Sequence, residues 1–229
     1  QKFWHILKTD IIQAIKSFFH SGHMLKAVNH TIISPIPKVE NPIEIKQFRP
    51  LSLCNVLYKI ISEILANRLK KVLDKCISKN QVTFVPGRQI LDNVIVFHEY
   101  LHYLKNKRQG SQGFMALKLD MSKAYDRVEG NYLKAMMTKM GFSEIWINWI
   151  MECITTATFS FNINGESKGY ITPSRGIRQG DPLSPYLFLL VSEGFSILLT
   201  QAESNHKLSG LKISRDGPSI SHLFFADDS

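Results

Sequence analysis

Cysteine is scarce in this 229-residue chain. The three cysteines, Cys54, Cys76 and Cys153, lie far apart and form no C-x-x-C pair. That excludes a disulfide framework and reads as reduced, mostly buried thiols of an intracellular protein, nuclear or cytoplasmic and not secreted. No stretch of about 18 uninterrupted apolar residues occurs, so no membrane span is expected. The opening QKFWHILKTD lacks the basic-then-apolar order of a signal peptide and has no initiator methionine, and both ends read as cut. Internal repeats and low-complexity tracts are missing as well.

What is present is apolar mass and positive charge. The chain is 44% hydrophobic with 14 Phe and 3 Trp, enough for one large domain or two small ones. Lys and Arg total 28 against 19 Asp and Glu, a net charge of +9. Such an excess attracts polyanions, nucleic acid first and anionic membrane second.

Periodicity outlines the elements. Ile6, Ile11, Ile12, Ile15, Phe18 and Phe19 mark an amphipathic helix over the first twenty residues. Prolines 35 and 37 make His30–Lys38 extended. A proline-bearing, charged stretch leads to Phe48-Arg49-Pro50-Leu51-Ser52, and helical spacing then runs from Leu53 to Leu73. After a break at Phe84–Arg88, a further helix is expected over Leu91–Leu104, and Lys105–Gly113 is a hydrophilic loop. Phe114–Asp120, FMALKLD, reads as a buried strand. Helices follow at Asn131–Met140 and Ser143–Thr155, with Gly141 stopping the first and Ser143 capping the second. Phe159, Phe161 and Ile163 before Asn164-Gly165 signal a hairpin. Asp181–Leu199 reads as a helix, and His222–Ser229 as a strand entering a turn.

Two features share one chemistry. Asp120 ends one apolar segment, and Asp227 and Asp228 end another. Carboxylates at the mouths of buried strands are costly unless a cation meets them. Mg²⁺ prefers such hard oxygen ligands. If the two ends meet, three carboxylates can hold two ions roughly 3.5–4 Å apart.

The segment Leu117–Val128, LKLDMSKAYDRV, resembles the first palm motif of non-LTR (LINE) retrotransposon reverse transcriptases, with wording closest to plant elements. Ser174–Pro185, SRGIRQGDPLSP, resembles the second, and Phe225-Ala226-Asp227-Asp228 the third. Ile36-Pro37-Lys38, Phe48–Ser52, Ile64–Leu69 and Phe84–Arg88 are similar to fingers blocks, in family order. The resemblance implies an α/β (α+β) right-hand polymerase, with an antiparallel palm sheet, packed helices and no thumb. Fingers would occupy 1–115 and about 125–170, and palm 116–124 and about 171–229. It implies Asp120, Asp227, Asp228 and the Met121 carbonyl as ligands of two Mg²⁺ ions, with Mn²⁺ able to substitute. Tyr125 would gate against a ribose 2′-hydroxyl, Gln179 and Gly180 would line the nucleotide pocket, and Lys38 and Arg49 would meet the triphosphate. Partners would be an RNA template, a DNA primer and deoxynucleoside triphosphates, with no membrane and no stable protein partner.

Each residue also has a plainer reading. Lys38 suits a solvated surface, Arg49 a turn before Pro50, Tyr125 core packing, Gln179-Gly180 a loop, and Asp227-Asp228 a surface turn. The family usually carries Trp where this chain has Gly130. His98-Glu99-Tyr100-Leu101-His102 fits the zinc-protease pattern H-E-x-x-H. It is set aside because His98 continues an apolar stripe and no third ligand stands out. The expected activity is RNA-directed DNA polymerisation by the parent protein, with this segment inactive alone. The alternative is a catalytically dead transposon remnant that at most binds RNA.

Overall fold

The computed structural model describes residues 3–107, 113–214 and 217–225. Most of the hydrophilic loop after Asn106, and Asp227 and Asp228, lie outside the described residues. The chain divides into two compact units, Gln1–Leu69 with Tyr125–Leu187, and Lys70–Ala124 with Phe188–Ser229.

The first unit holds a four-stranded sheet ordered β2-β1-β3-β4, formed by β1 (His30–Pro37), β2 (Phe48–Cys54), β3 (Thr158–Ile163) and β4 (Glu166–Ile171). Strand β2 was not foreseen, because Pro50 disguised it. Pro50 faces Pro35 across the antiparallel β1–β2 ladder, so two residues without N–H groups oppose each other. As β2 is an edge strand, its proline disrupts no second ladder. Leu53 therefore belongs to β2, and helix α2 (Val56–Lys70) starts later than its apolar spacing implied. The Asn55 side chain accepts from the Leu57 N–H at 2.9 Å at that start. The β3–β4 turn is the expected one, with Asn164 and Gly165 at φ +52° and +85°.

Helix α1 (Trp4–Ser21) buries only Phe18, so its apolar face is far less covered than its pattern suggested. At its end Phe19 meets Trp149 edge-on at 5.0 Å. Helix α5 (Gly130–Lys139) packs on α6 (Glu144–Thr155), and the Ser143 side chain accepts from the Trp146 N–H at α6's start. Gly141, at φ +82°, ends the α5 turn as expected. Tyr58, Leu65, Leu133, Met137, Ile150 and Leu183 are fully buried in this unit.

The second unit contains α3 (Leu73–Cys76), α4 (Ile90–Asn106) and all but the first turn of α7 (Ser184–Ser204). Helix α7 is long and apolar enough to cross a membrane by length and composition, a segment the uninterrupted-run criterion missed. Its Leu189 and Leu190 are fully buried, and its Glu193 carboxylate accepts from the Ser78 N–H at 3.0 Å, as in a core helix.

The buried strand expected at Phe114–Asp120 is not formed. The segment is exposed, with Met115 83% and Leu117 65% accessible, and only Asp120 occupies a bridge position. An apolar run is buried only when neighbours cover it, and among the described residues none forms a ladder with this one. The extended sheet thus lies in segments assigned to the fingers, and its β1–β3 pair is parallel. Among the described residues, the segment after α7 holds isolated bridge positions, Gln81–Phe224 and Leu211–Ile220 among them.

Candidate nucleotidyl-transfer site

In the first unit one loop, residues 174–181, joins three sequence-predicted positions. On one side, the Ile177 N–H donates to the Tyr125 carbonyl at 2.9 Å and the Gly176 N–H to the Val128 carbonyl at 2.8 Å. On the other, the Ser52 N–H of β2 donates to the Gln179 carbonyl at 3.2 Å. Gly180 sits at φ +93°, and a Cβ there would lie 3.2 Å from a Leu51 methyl. Gln179 and Gly180 are exposed. Arg49 lies three residues before Ser52 on β2 and pairs with Ile36 of β1. Lys38 follows β1, its N–H donating to the Gln47 carbonyl and its Nζ to the Lys46 carbonyl at 3.2 Å. Both cations are exposed.

Beneath the loop lies a polar cluster that sequence reasoning missed. Arg178 and Asp181 flank the exposed dipeptide and are 5% and 4% accessible. Asp181 accepts from the Tyr58 and Ser62 hydroxyls of α2, and from the Leu183 N–H at 3.0 Å. The Arg178 guanidinium lies 3.9 Å from the Tyr58 ring centre and donates to Asn29 Oδ1 and to the Cys153 carbonyl at 2.6 Å. Asn29 is itself fixed by donating to Thr156 Oγ1 at 2.7 Å. Burial, then the Asp181 charge, hold the Tyr58 hydroxyl well above its usual range. Burial opposes the charge of Arg178, but Tyr58 and Asp181 outweigh it and keep that guanidinium charged. One signal was legible: Tyr58 and Ser62 are polar residues one helical turn apart on the stripe of Ile61 and Leu65.

In the second unit, Asp120 is exposed and Met121 half-buried, and the Ser122 N–H donates to the Asp120 carbonyl. The segment that leads toward Asp227 and Asp228 is held in detail. Phe224 is buried, its N–H donates to the Asn80 carbonyl at 2.9 Å, and Asn93 Nδ2 donates to the carbonyls of both Asn80 and Phe224. His222 Nε2 contacts Asn80 Nδ2 and Ser196 Oγ, each at 2.8 Å. Arg88, from the Phe84–Arg88 block, donates to the Ile77 and Gln81 carbonyls and pairs with Asp74. It thereby fastens the turn that carries Asn80.

His98 and His102 lie one turn apart on α4 and line a cavity of about 770 Å³ with Glu99, Tyr103, Asn106, Lys107 and Ile213. His102 Nε2 is engaged by Asn106 Nδ2 at 2.8 Å. Among the described residues no group of three His, Cys, Asp or Glu side chains converges to hold a metal.

Comparison with known proteins decides the family. The model of "Reverse transcriptase (RNA-dependent DNA polymerase)" matches residues 36–229. The chain belongs to the reverse transcriptase family. A Xenopus laevis protein, "Transposon TX1 uncharacterized 149 kDa protein", is 31% identical over the whole chain, which spans 17% of it. An Arabidopsis thaliana "Uncharacterized mitochondrial protein AtMg01250" is 54% identical over 68 residues, 30% of this chain and 56% of that protein. A "Retrovirus-related Pol polyprotein from type-1 retrotransposable element R2" of Popillia japonica is 27% identical across 88% of the chain and 27% of the polyprotein. Reverse transcriptases work on a nucleic-acid template and primer and use divalent metal ions, and the mixed α/β fold of this chain, one sheet with several helices, accords with that family.

Proposed function

We propose that this chain is the catalytic segment of a non-LTR retrotransposon reverse transcriptase, of plant LINE type, that adds deoxynucleotides to a DNA primer on an RNA template. The observation that carries this reading is the 174–181 loop, bonded to the Tyr125 turn on one flank and to β2 on the other. It draws the proposed sugar gate, the pocket-lining Gln179 and Gly180, and the strand of Arg49 into one unit. The 54% identity with the Arabidopsis protein supports the plant assignment.

Lys38 and Arg49, a point cation and a planar fork, neutralise the triphosphate. Gly180 lets the backbone approach the nucleotide closely. The Tyr125 ring excludes a 2′-hydroxyl. Asp120 fits a hard cation: it is an exposed carboxylate that, among the described residues, carries no hydrogen bond or ion pair on its side chain. Asp120, the Met121 carbonyl, Asp227 and Asp228 would hold two Mg²⁺ ions, replaceable by Mn²⁺. Bound there, the metal supplies primer-hydroxyl activation and charge neutralisation at the leaving pyrophosphate.

The chain spans 17% of its Xenopus relative, and we expect little or no synthesis from these 229 residues by themselves. The test is primer extension on RNA by the full-length protein. Asp120→Asn should lower the rate on the order of 10³-fold with Mg²⁺ present. Wild-type-level synthesis by that variant would refute the assignment, and salt-sensitive RNA binding without incorporation by the unaltered protein would point to a remnant.

A further inference from the structure

Gln179 and Gly180 form an exposed dipeptide held between two buried charged residues. One residue of α2 touches both anchors. The Tyr58 ring lies under the Arg178 guanidinium, and its hydroxyl donates to Asp181. Tyr58 is itself completely buried, so it has no route to a substrate. We propose that Tyr58 is a positioning residue that sets the Gln179–Gly180 loop, with its ring seating Arg178 and its hydroxyl seating Asp181; this rests on the reading of that loop as nucleotide-pocket lining.

The arrangement explains why the loop can be polar, glycine-bearing and still defined. Gly180 takes a left-handed conformation that by itself gives the chain freedom. Fixing the residues on either side removes that freedom. Asp181 is an anchor with three donors, the Tyr58 and Ser62 hydroxyls and the Leu183 N–H. Arg178 is an anchor with two oxygen acceptors, Asn29 Oδ1 and the Cys153 carbonyl, and one ring face. Asn29 precedes β1, and Ser52 of β2 bonds the Gln179 carbonyl directly, so the loop and the strand that leads to Lys38 share one support. Loss of the Tyr58 hydroxyl leaves Asp181 with one fewer donor while keeping the ring under Arg178. The change therefore probes position rather than packing.

The experiment has two measurements on Tyr58→Phe. Hydrogen exchange on the chain should show faster exchange across 177–183, on the order of ten-fold, with the α5 and α6 amides unchanged. Primer extension by the full-length protein should show KM for deoxynucleotide raised on the order of five-fold, with kcat changed much less. The proposal is overturned if loop exchange is unaltered, or if exchange rises uniformly through the unit while KM stays put. Gln179→Ala separates the two ideas. If it leaves nucleotide KM unchanged while Tyr58→Phe still loosens the loop, the pocket reading fails and the positioning role survives. If Gln179→Ala raises KM and Tyr58→Phe does neither, the positioning role fails alone.

Discussion

At the scale of single residues, backbone crowding identifies the positions that tolerate least. Gly176 has φ +95°, and a Cβ there would lie 3.1 Å from the Asp126 carbonyl oxygen and 3.3 Å from its Cα. Neither neighbour is a side chain that can swing away. Gly176→Ala should therefore cost about 1–3 kcal/mol, from left-handed strain and a backbone clash together. Chemical denaturation of the purified chain checks this, and a change below about 0.5 kcal/mol would contradict it. Gly130 is the opposite case: a Cβ there meets only Met151 Cε at 3.6 Å and Thr155 Cγ2 at 3.9 Å, ordinary contacts. Burial also pushes the Cys153 thiol far above its ordinary range, so it stays protonated and a poor nucleophile.

Among the elements, the approach to the Asp227–Asp228 box depends on a histidine. Burial lowers the His222 pKa, partly offset by Glu203. The neutral ring suits its site, since Nε2 can accept from Asn80 Nδ2, whereas a protonated Nε2 would face that donor. As the folded pKa is depressed, the unfolded chain takes the proton first. Stability from His222 is fully present above about pH 6.5 and is lost as pH falls from there toward the folded pKa. Buried Glu193 works in the other direction: its raised pKa gives stability that declines as pH rises. Thermal unfolding between pH 7.5 and 5.5 should thus show a midpoint that falls more steeply in the wild type than in His222→Gln. Parallel slopes would remove His222 from the account.

For the molecule as a whole, the net charge of +9 sets how it meets nucleic acid. If exposed cations such as Lys38 and Arg49 contact phosphates, affinity for RNA should fall on the order of ten-fold or more between 50 and 200 mM salt. Filter binding across that range checks it, and salt-independent binding would mean that phosphates are not the contacts.

Helix positions were legible from the sequence because their apolar spacing is local. The α4, α5 and α6 helices and the Asn164-Gly165 turn follow from residues within a few positions of one another. Strand β2 was not legible, because Pro50 becomes acceptable only opposite Pro35 at a sheet edge. The 114–120 segment was misread because an apolar run does not reveal whether anything covers it. The family resemblance named Tyr125, Gln179 and Gly180 together, but Tyr58, Ser62 and Asn29 are separated from Arg178 and Asp181 by more than a hundred residues. Local propensity acts over one or two turns of chain. The desolvation that makes a buried arginine and aspartate seek partners acts through space, so only the folded chain decides which residues answer it.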